Sequence, residues 1–118
     1  MAGDRSDATI HFEAGEAFFA QGEYEEACEE YKQAIMLQPD YADAYNSWGS
    51  ALANLKRYEE AIEKYQQAIK FNPNHEIAYR NFGFLLSNLK QYEEAIGKYR
   101  RATEINPNYD HAYYSWGN

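Results

Sequence analysis

Tyr58-Glu59-Glu60-Ala61-Ile62-Glu63-Lys64-Tyr65-Gln66-Gln67-Ala68-Ile69-Lys70-Phe71-Asn72-Pro73 returns 34 residues later as Tyr92-Glu93-Glu94-Ala95-Ile96-Gly97-Lys98-Tyr99-Arg100-Arg101-Ala102-Thr103-Glu104-Ile105-Asn106-Pro107. A looser copy precedes both, opening on Tyr24-Glu25-Glu26-Ala27 and ending on Pro39. The chain's three prolines, Pro39, Pro73 and Pro107, therefore mark a 34-residue period. Aligned on them, the chain divides into a lead at 1–7, units at 8–41, 42–75 and 76–109, and the opening of a fourth unit at 110–118. The second and third units agree at 18 of 34 positions, and Ala44-Tyr45-Asn46-Ser47-Trp48-Gly49 returns as Ala112-Tyr113-Tyr114-Ser115-Trp116-Gly117. Such self-similarity is the mark of a repeat array.

Within a unit the apolar spacing predicts two helices. Tyr45, Trp48, Leu52 and Leu55 step by three and four residues, which lines up one face of a helix. A second stripe follows: Tyr58, Ala61, Ile62, Tyr65, Ala68 and Ile69. Neither stretch alternates with period two, so helices rather than strands are expected and the expected class is all-α. Asn72-Pro73-Asn74 ends the second helix, since proline lacks an N–H and disfavours helical geometry in the residue before it. Asp7, or Ser6 beside it, is the expected N-cap of the first helix.

Small residues recur where two helices would touch. Gly15, Gly49, Gly83 and Gly117 share one repeat position, and Ala27, Ala61 and Ala95 another. Glycine inside a helix costs about 1 kcal/mol relative to alanine, so its return argues for close approach. Tyr31, Tyr65 and Tyr99 recur at the same period and are expected to fill the space opposite. The chain's twelve tyrosines are thus mostly repeated packing positions.

With these residues in hand, the chain resembles the tetratricopeptide repeat (TPR) family, whose 34-residue unit reads W-x₂-L-G-x₂-Y, A-x₃-F, P. Here the pattern stands as Tyr45-x₂-Trp48-Gly49-x₂-Leu52, Ala61-x₃-Tyr65, Pro73, and again as Tyr79-x₂-Phe82-Gly83-x₂-Leu86, Ala95-x₃-Tyr99, Pro107. The first unit is looser: His11-x₂-Ala14-Gly15-x₂-Phe18, Ala27-x₃-Tyr31, Pro39. Tyrosine opens the pattern in place of tryptophan, and Trp48 and Trp116 hold the usual leucine site. The resemblance covers residues 8–118 and implies an α-solenoid, a right-handed superhelix of antiparallel helix pairs.

It also implies a function: a non-catalytic scaffold that binds a partner protein or peptide in a concave groove lined by the first helices. The family's groove positions fall on Thr9, Phe12, Glu13, Glu16, Phe19 and Ala20 in the first unit. The stronger candidates follow in the later units: Asn46, Ser47, Ser50 and Asn54, then Arg80, Asn81, Phe84 and Asn88, then Tyr114. Amide side chains both donate to and accept from an extended peptide backbone, while Phe84 and Tyr114 suit an apolar side chain. Chaperone-binding members resemble one another in a cationic two-carboxylate clamp. Its positions here are Phe12, Glu16, Ser47, Ile77 and Asn81, without a cation, so a chaperone C-terminal tail is not the expected partner.

Catalysis finds no foothold in the sequence. Ser47 and Ser115 lie in predicted helices, without the strand-turn-helix strain of a nucleophile elbow. His11, His75 and His111 occupy three different repeat positions and show no ligand or triad spacing. His75 and His111 read as loop or surface residues, and Cys28, standing where Ile62 and Ile96 stand, as a buried core thiol. The glutamate pairs at 25–26, 59–60 and 93–94 open helices, where negative charge complements the helix dipole. No catalytic, cofactor or metal site is expected.

The 118 residues carry a net charge of -8, a poor match for nucleic acid or an anionic membrane surface. No apolar run is long enough to span a bilayer. The single cysteine fits a reducing cytoplasm better than a disulfide-stapled module. The charge is concentrated: residues 8–41 hold eight acids and Lys32 alone, residues 42–75 balance, and residues 76–109 come to +1. An acidic head and a mildly basic tail suit head-to-tail association. Ala112, Tyr113 and Trp116, on a first helix without its partner, are the candidate contacts of such a homo-oligomer.

Overall fold

Each apolar stripe forms a helix. The computed structural model describes residues 5–107, and these fold as α1 (Arg5–Ala20), α2 (Tyr24–Leu37), α3 (Ala42–Asn54), α4 (Tyr58–Phe71), α5 (Glu76–Asn88) and α6 (Tyr92–Ile105). No strand occurs among the described residues. Successive helices pack as hairpins, α1 on α2, α3 on α4 and α5 on α6, and each hairpin stacks on the next. First helices also touch first helices, α1 with α3 and α3 with α5. The result is a solenoid, as expected. Helix α1 runs from Arg5 with Asp7 inside its first turn, which corrects the expectation of an N-cap at Asp7 or Ser6.

Two kinds of turn alternate. Before each proline the chain swings out of helical geometry, at Gln38 (φ -139°, ψ 88°), Asn72 (-138°, 89°) and Asn106 (-133°, 86°), because proline excludes the α region from its predecessor. The turns inside the hairpins use another device. Gly22, Lys56 and Lys90 all have positive φ, at 77°, 64° and 65°. The residue after each donates backward to a carbonyl five residues earlier: Glu23 to Phe18, Arg57 to Leu52 and Gln91 to Leu86, each at 2.9 Å. This is the Schellman closure, in which a left-handed residue lets two orphaned carbonyls be satisfied. Only the first hairpin uses glycine there.

The core follows the small-residue rows. Ala27, Ala61 and Ala95 are buried, as are Tyr31, Tyr65 and Tyr99. The tyrosine rings lie against Gly15, Gly49 and Gly83 respectively, as the sequence pattern predicts. Leu52, Phe82, Leu85 and Leu86 complete the central cluster with Tyr65 and Tyr99. Cys28 is only partly buried, packed against both core clusters, rather than enclosed as expected. Burial still pushes its thiol up to about 11, with Glu25 the next cause. The glutamate pairs stand exposed in the first turns of α2, α4 and α6.

His75 departs from the loop-or-surface expectation. It is the N-cap of α5 and is buried. Its Nδ1 accepts the Ala78 N–H at 3.2 Å, so Nε2 carries the proton and donates to Asp43 Oδ1 at 2.7 Å. With both ring nitrogens engaged, the imidazole ties α5 to α3 of the preceding hairpin. The hydrogen bond to His75 holds the Asp43 carboxyl below the usual carboxylate range. His11 also meets an acid, Glu30, at 2.8 Å. The fold thus pairs two histidines with carboxylates that the spacing did not connect.

Candidate functional site

The solenoid's period places one side of α1, α3 and α5 in a row, and two hollows open along it. The smaller, about 300 Å³, is lined by Glu16, Phe19, Asn46, Ser47, Ser50 and Asn81. The larger, about 450 Å³, runs from Phe19, Ser50, Ala53 and Asn54 to Asn81, Phe84, Leu85, Asn88 and Leu89, with Tyr58 and Tyr65 of α4 behind. Phe19, Ser50 and Asn81 belong to both, so the hollows form one continuous trough.

Of the second helices, α4 reaches the trough through Tyr58 and Tyr65. Tyr65 Oη lies 2.8 Å from Ser50 Oγ, and Tyr31 donates to Glu16. Ser50 and Glu16 occupy the same repeat position, so the first two hairpins each bond a second-helix tyrosine hydroxyl to the equivalent first-helix side chain. In the third hairpin that position is Phe84, which is 59% exposed. Burial pushes the Tyr65 phenol up to about 12 despite the Ser50 hydroxyl. Tyr31 is raised further still, by burial first and then by its bond to Glu16. Both phenols stay protonated, able to donate.

Of the sequence-derived candidates, Asn46, Ser47, Ser50, Asn54, Asn81, Phe84 and Asn88 all line this trough. They are not equally available. Asn81 Nδ2 donates to Asn46 Oδ1 at 3.2 Å, and Asn46 is only 9% exposed; that pair bridges α3 and α5. Asn54 Nδ2 folds back to the Ser50 carbonyl at 2.9 Å. Arg80 lines neither hollow; its guanidinium reaches Glu76 on its own helix at 3.4 Å. Tyr114, Ala112, Tyr113 and Trp116 lie outside the described residues. Sequence reasoning misses Tyr58, Tyr65, Leu85 and Leu89, whose repeat positions read as core or carry no groove signal.

Two further properties bear on what the trough can hold. Its lining contains the carboxylate of Glu16 and no lysine or arginine. No group of three or more His, Cys, Asp or Glu residues gathers anywhere among the described residues in a way that would hold a metal ion. None of the described helices is long and apolar enough to cross a membrane.

Comparison with known proteins places this geometry. A family model described as TPR repeat matches residues 15–56, 49–90 and 88–118. The first TPR of Spaghetti (RPAP3) bound to the HSP90 peptide SRMEEVD is similar, with a TM-score of 0.91 and 28% identity over 96% of this chain and 90% of that one. The first TPR domain of the human RPAP3 protein has the same TM-score and identity, over 95% and 88%. MamA is similar at a TM-score of 0.88 and 27% identity, over 94% of this chain and 65% of its own. No curated protein matches the chain.

Proposed function

The chain belongs to the tetratricopeptide repeat family, and on that premise we propose that it is a non-catalytic interaction module binding a segment of a partner protein in the concave trough along α1, α3 and α5. The observation that carries this reading is the trough itself. It is continuous across three hairpins, rimmed by Asn54, Asn81 and Asn88, and it leaves Phe84 exposed beside buried Leu85. An extended peptide offers backbone donors and acceptors to such amides and an apolar side chain to such a ring. The half-buried unpaired thiol of Cys28 supports a cytoplasmic setting.

A similar TPR is bound to the HSP90 peptide SRMEEVD, a sequence with three carboxylate side chains. In this chain the positions matching a carboxylate clamp are Phe12, Glu16, Ser47, Ile77 and Asn81. Without a cation among them, a chaperone tail is not the ligand we propose. Peptides selected from a random display library test the reading. Calorimetric titration should show binding weakened at least tenfold by Phe84→Ala and several-fold by the Asn54→Ala/Asn88→Ala double variant. Binding unchanged in both variants removes the trough from the function.

A further inference from the structure

The charge along the trough is one-sided, and this gives the ligand a polarity. Glu16 stands exposed at the α1 end, in the repeat unit 8–41, which holds eight acidic residues and Lys32 as its only lysine or arginine. The α5 end is apolar, formed by exposed Phe84 with Leu85 and Leu89. Between them lie neutral hydroxyls and amides. The Tyr31 hydroxyl donates to the Glu16 carboxylate, fixing it at the wall of the smaller hollow. A carboxylate already oriented by one hydrogen bond loses less freedom when it takes a second, cationic partner.

Resting on the peptide-binding reading above, we infer that the trough selects a peptide with an apolar side chain for Phe84, Leu85 and Leu89 and a lysine or arginine for Glu16. Acidic peptides are rejected by the same arrangement, since an anion near Glu16 finds no countercharge in the lining. Discrimination arises from repulsion as much as from attraction. The field of the first hairpin extends it, drawing basic segments toward the α1 end and raising their association rate at low salt.

Randomised dodecapeptide phage libraries panned against the chain and against Glu16→Gln test this directly; the amide keeps an acceptor for Tyr31. Selection on the chain should enrich an apolar residue together with Lys or Arg and deplete Asp and Glu. On Glu16→Gln the apolar enrichment should persist and the basic enrichment disappear. A peptide selected on the parent chain should bind Glu16→Gln roughly fivefold more weakly, a difference that shrinks in high salt. Apolar enrichment without charge preference, or the same basic preference on Glu16→Gln, overturns the charge inference and leaves the trough reading standing. Selected peptides that bind Phe84→Ala as well as the parent chain overturn both.

Discussion

A Cβ on Gly49 would lie 2.9 Å from both Cδ1 and Cε1 of Tyr65 and 3.2 Å from the Ala61 carbonyl, so the ring fills the volume that glycine leaves. The same meeting is tighter at Gly15, where Tyr31 Cε1 would stand at 2.6 Å, and looser at Gly83, where Tyr99 would stand at 3.2 Å. Alanine gains about 1 kcal/mol of helix propensity over glycine but overpacks the core by about 1–3 kcal/mol. Gly15→Ala and Gly49→Ala should lower stability by about 1–2 kcal/mol, Gly15 the more. Gly83→Ala should be near neutral. Gly97, in α6 with nothing near its Cβ direction, should gain about 1 kcal/mol as alanine. Urea midpoints across the four variants check the order; an equal loss at all four would contradict it.

The left-handed turn residues should respond in the opposite sense. Lys56 and Lys90 hold φ near 65° with a side chain that disfavours it, at a cost of about 1–2 kcal/mol. Lys56→Gly and Lys90→Gly should each raise stability by about 1 kcal/mol, while Gly22→Ala should lower it by a similar amount. Thermal melts by circular dichroism read the difference. Destabilisation by Lys56→Gly would show that the lysine side chain contributes more than the backbone loses.

Removing the His75 link should loosen the joint between the second and third hairpins. His75→Ala deletes both the cap on Ala78 and the bond to Asp43, for a loss of about 1–2 kcal/mol. Asp43→Ala leaves the cap and should cost less, since its carboxylate is 64% exposed and an exposed ion pair contributes little. Asp43 is held below its ordinary value of 3.8 by His75. A depressed carboxylate stabilises the fold above pH about 4, and that contribution is lost as pH falls through the lowered value. Acid titration of the two variants should therefore show a smaller change below pH about 4 than the parent chain. Equal acid sensitivity would contradict the link.

Alkali acts on the raised groups with the opposite sign. Cys28 rises from 9.0 to about 11 and Tyr65 from 10.0 to about 12, both through burial. Each holds its proton more tightly folded than unfolded. Their contribution is complete below pH about 9 and is lost as pH rises from there to about 12. Urea midpoints should fall over that window, and Cys28→Val should move the onset toward pH about 10. A midpoint constant through pH 11 would refute the assignment.

The sequence made legible whatever the 34-residue period repeats. Pro73 and its equivalents set the turns, and the Gly49–Tyr65 contact follows from two rows of equivalent positions. What stayed hidden joins positions that are not equivalent. Asn81 meets Asn46 across 35 residues, one more than the period, and His75 meets Asp43 across 32, so no single aligned column contains either pair. The strained turns were hidden for another reason. Glycine marks the left-handed position only at Gly22, and lysine at Lys56 and Lys90 carries no such signal. Tyr65 read as core because its ring is core; only its hydroxyl, bonded to Ser50, belongs to the trough.

The most direct measurement is a nitrogen-15 NMR titration of the chain with a display-selected peptide. Binding in the trough predicts that shifts concentrate at Ser50, Asn54, Asn81, Phe84 and Asn88, with the exposed glutamate pairs of α2, α4 and α6 unmoved. Shifts centred on those second helices, with the trough residues silent, would contradict it.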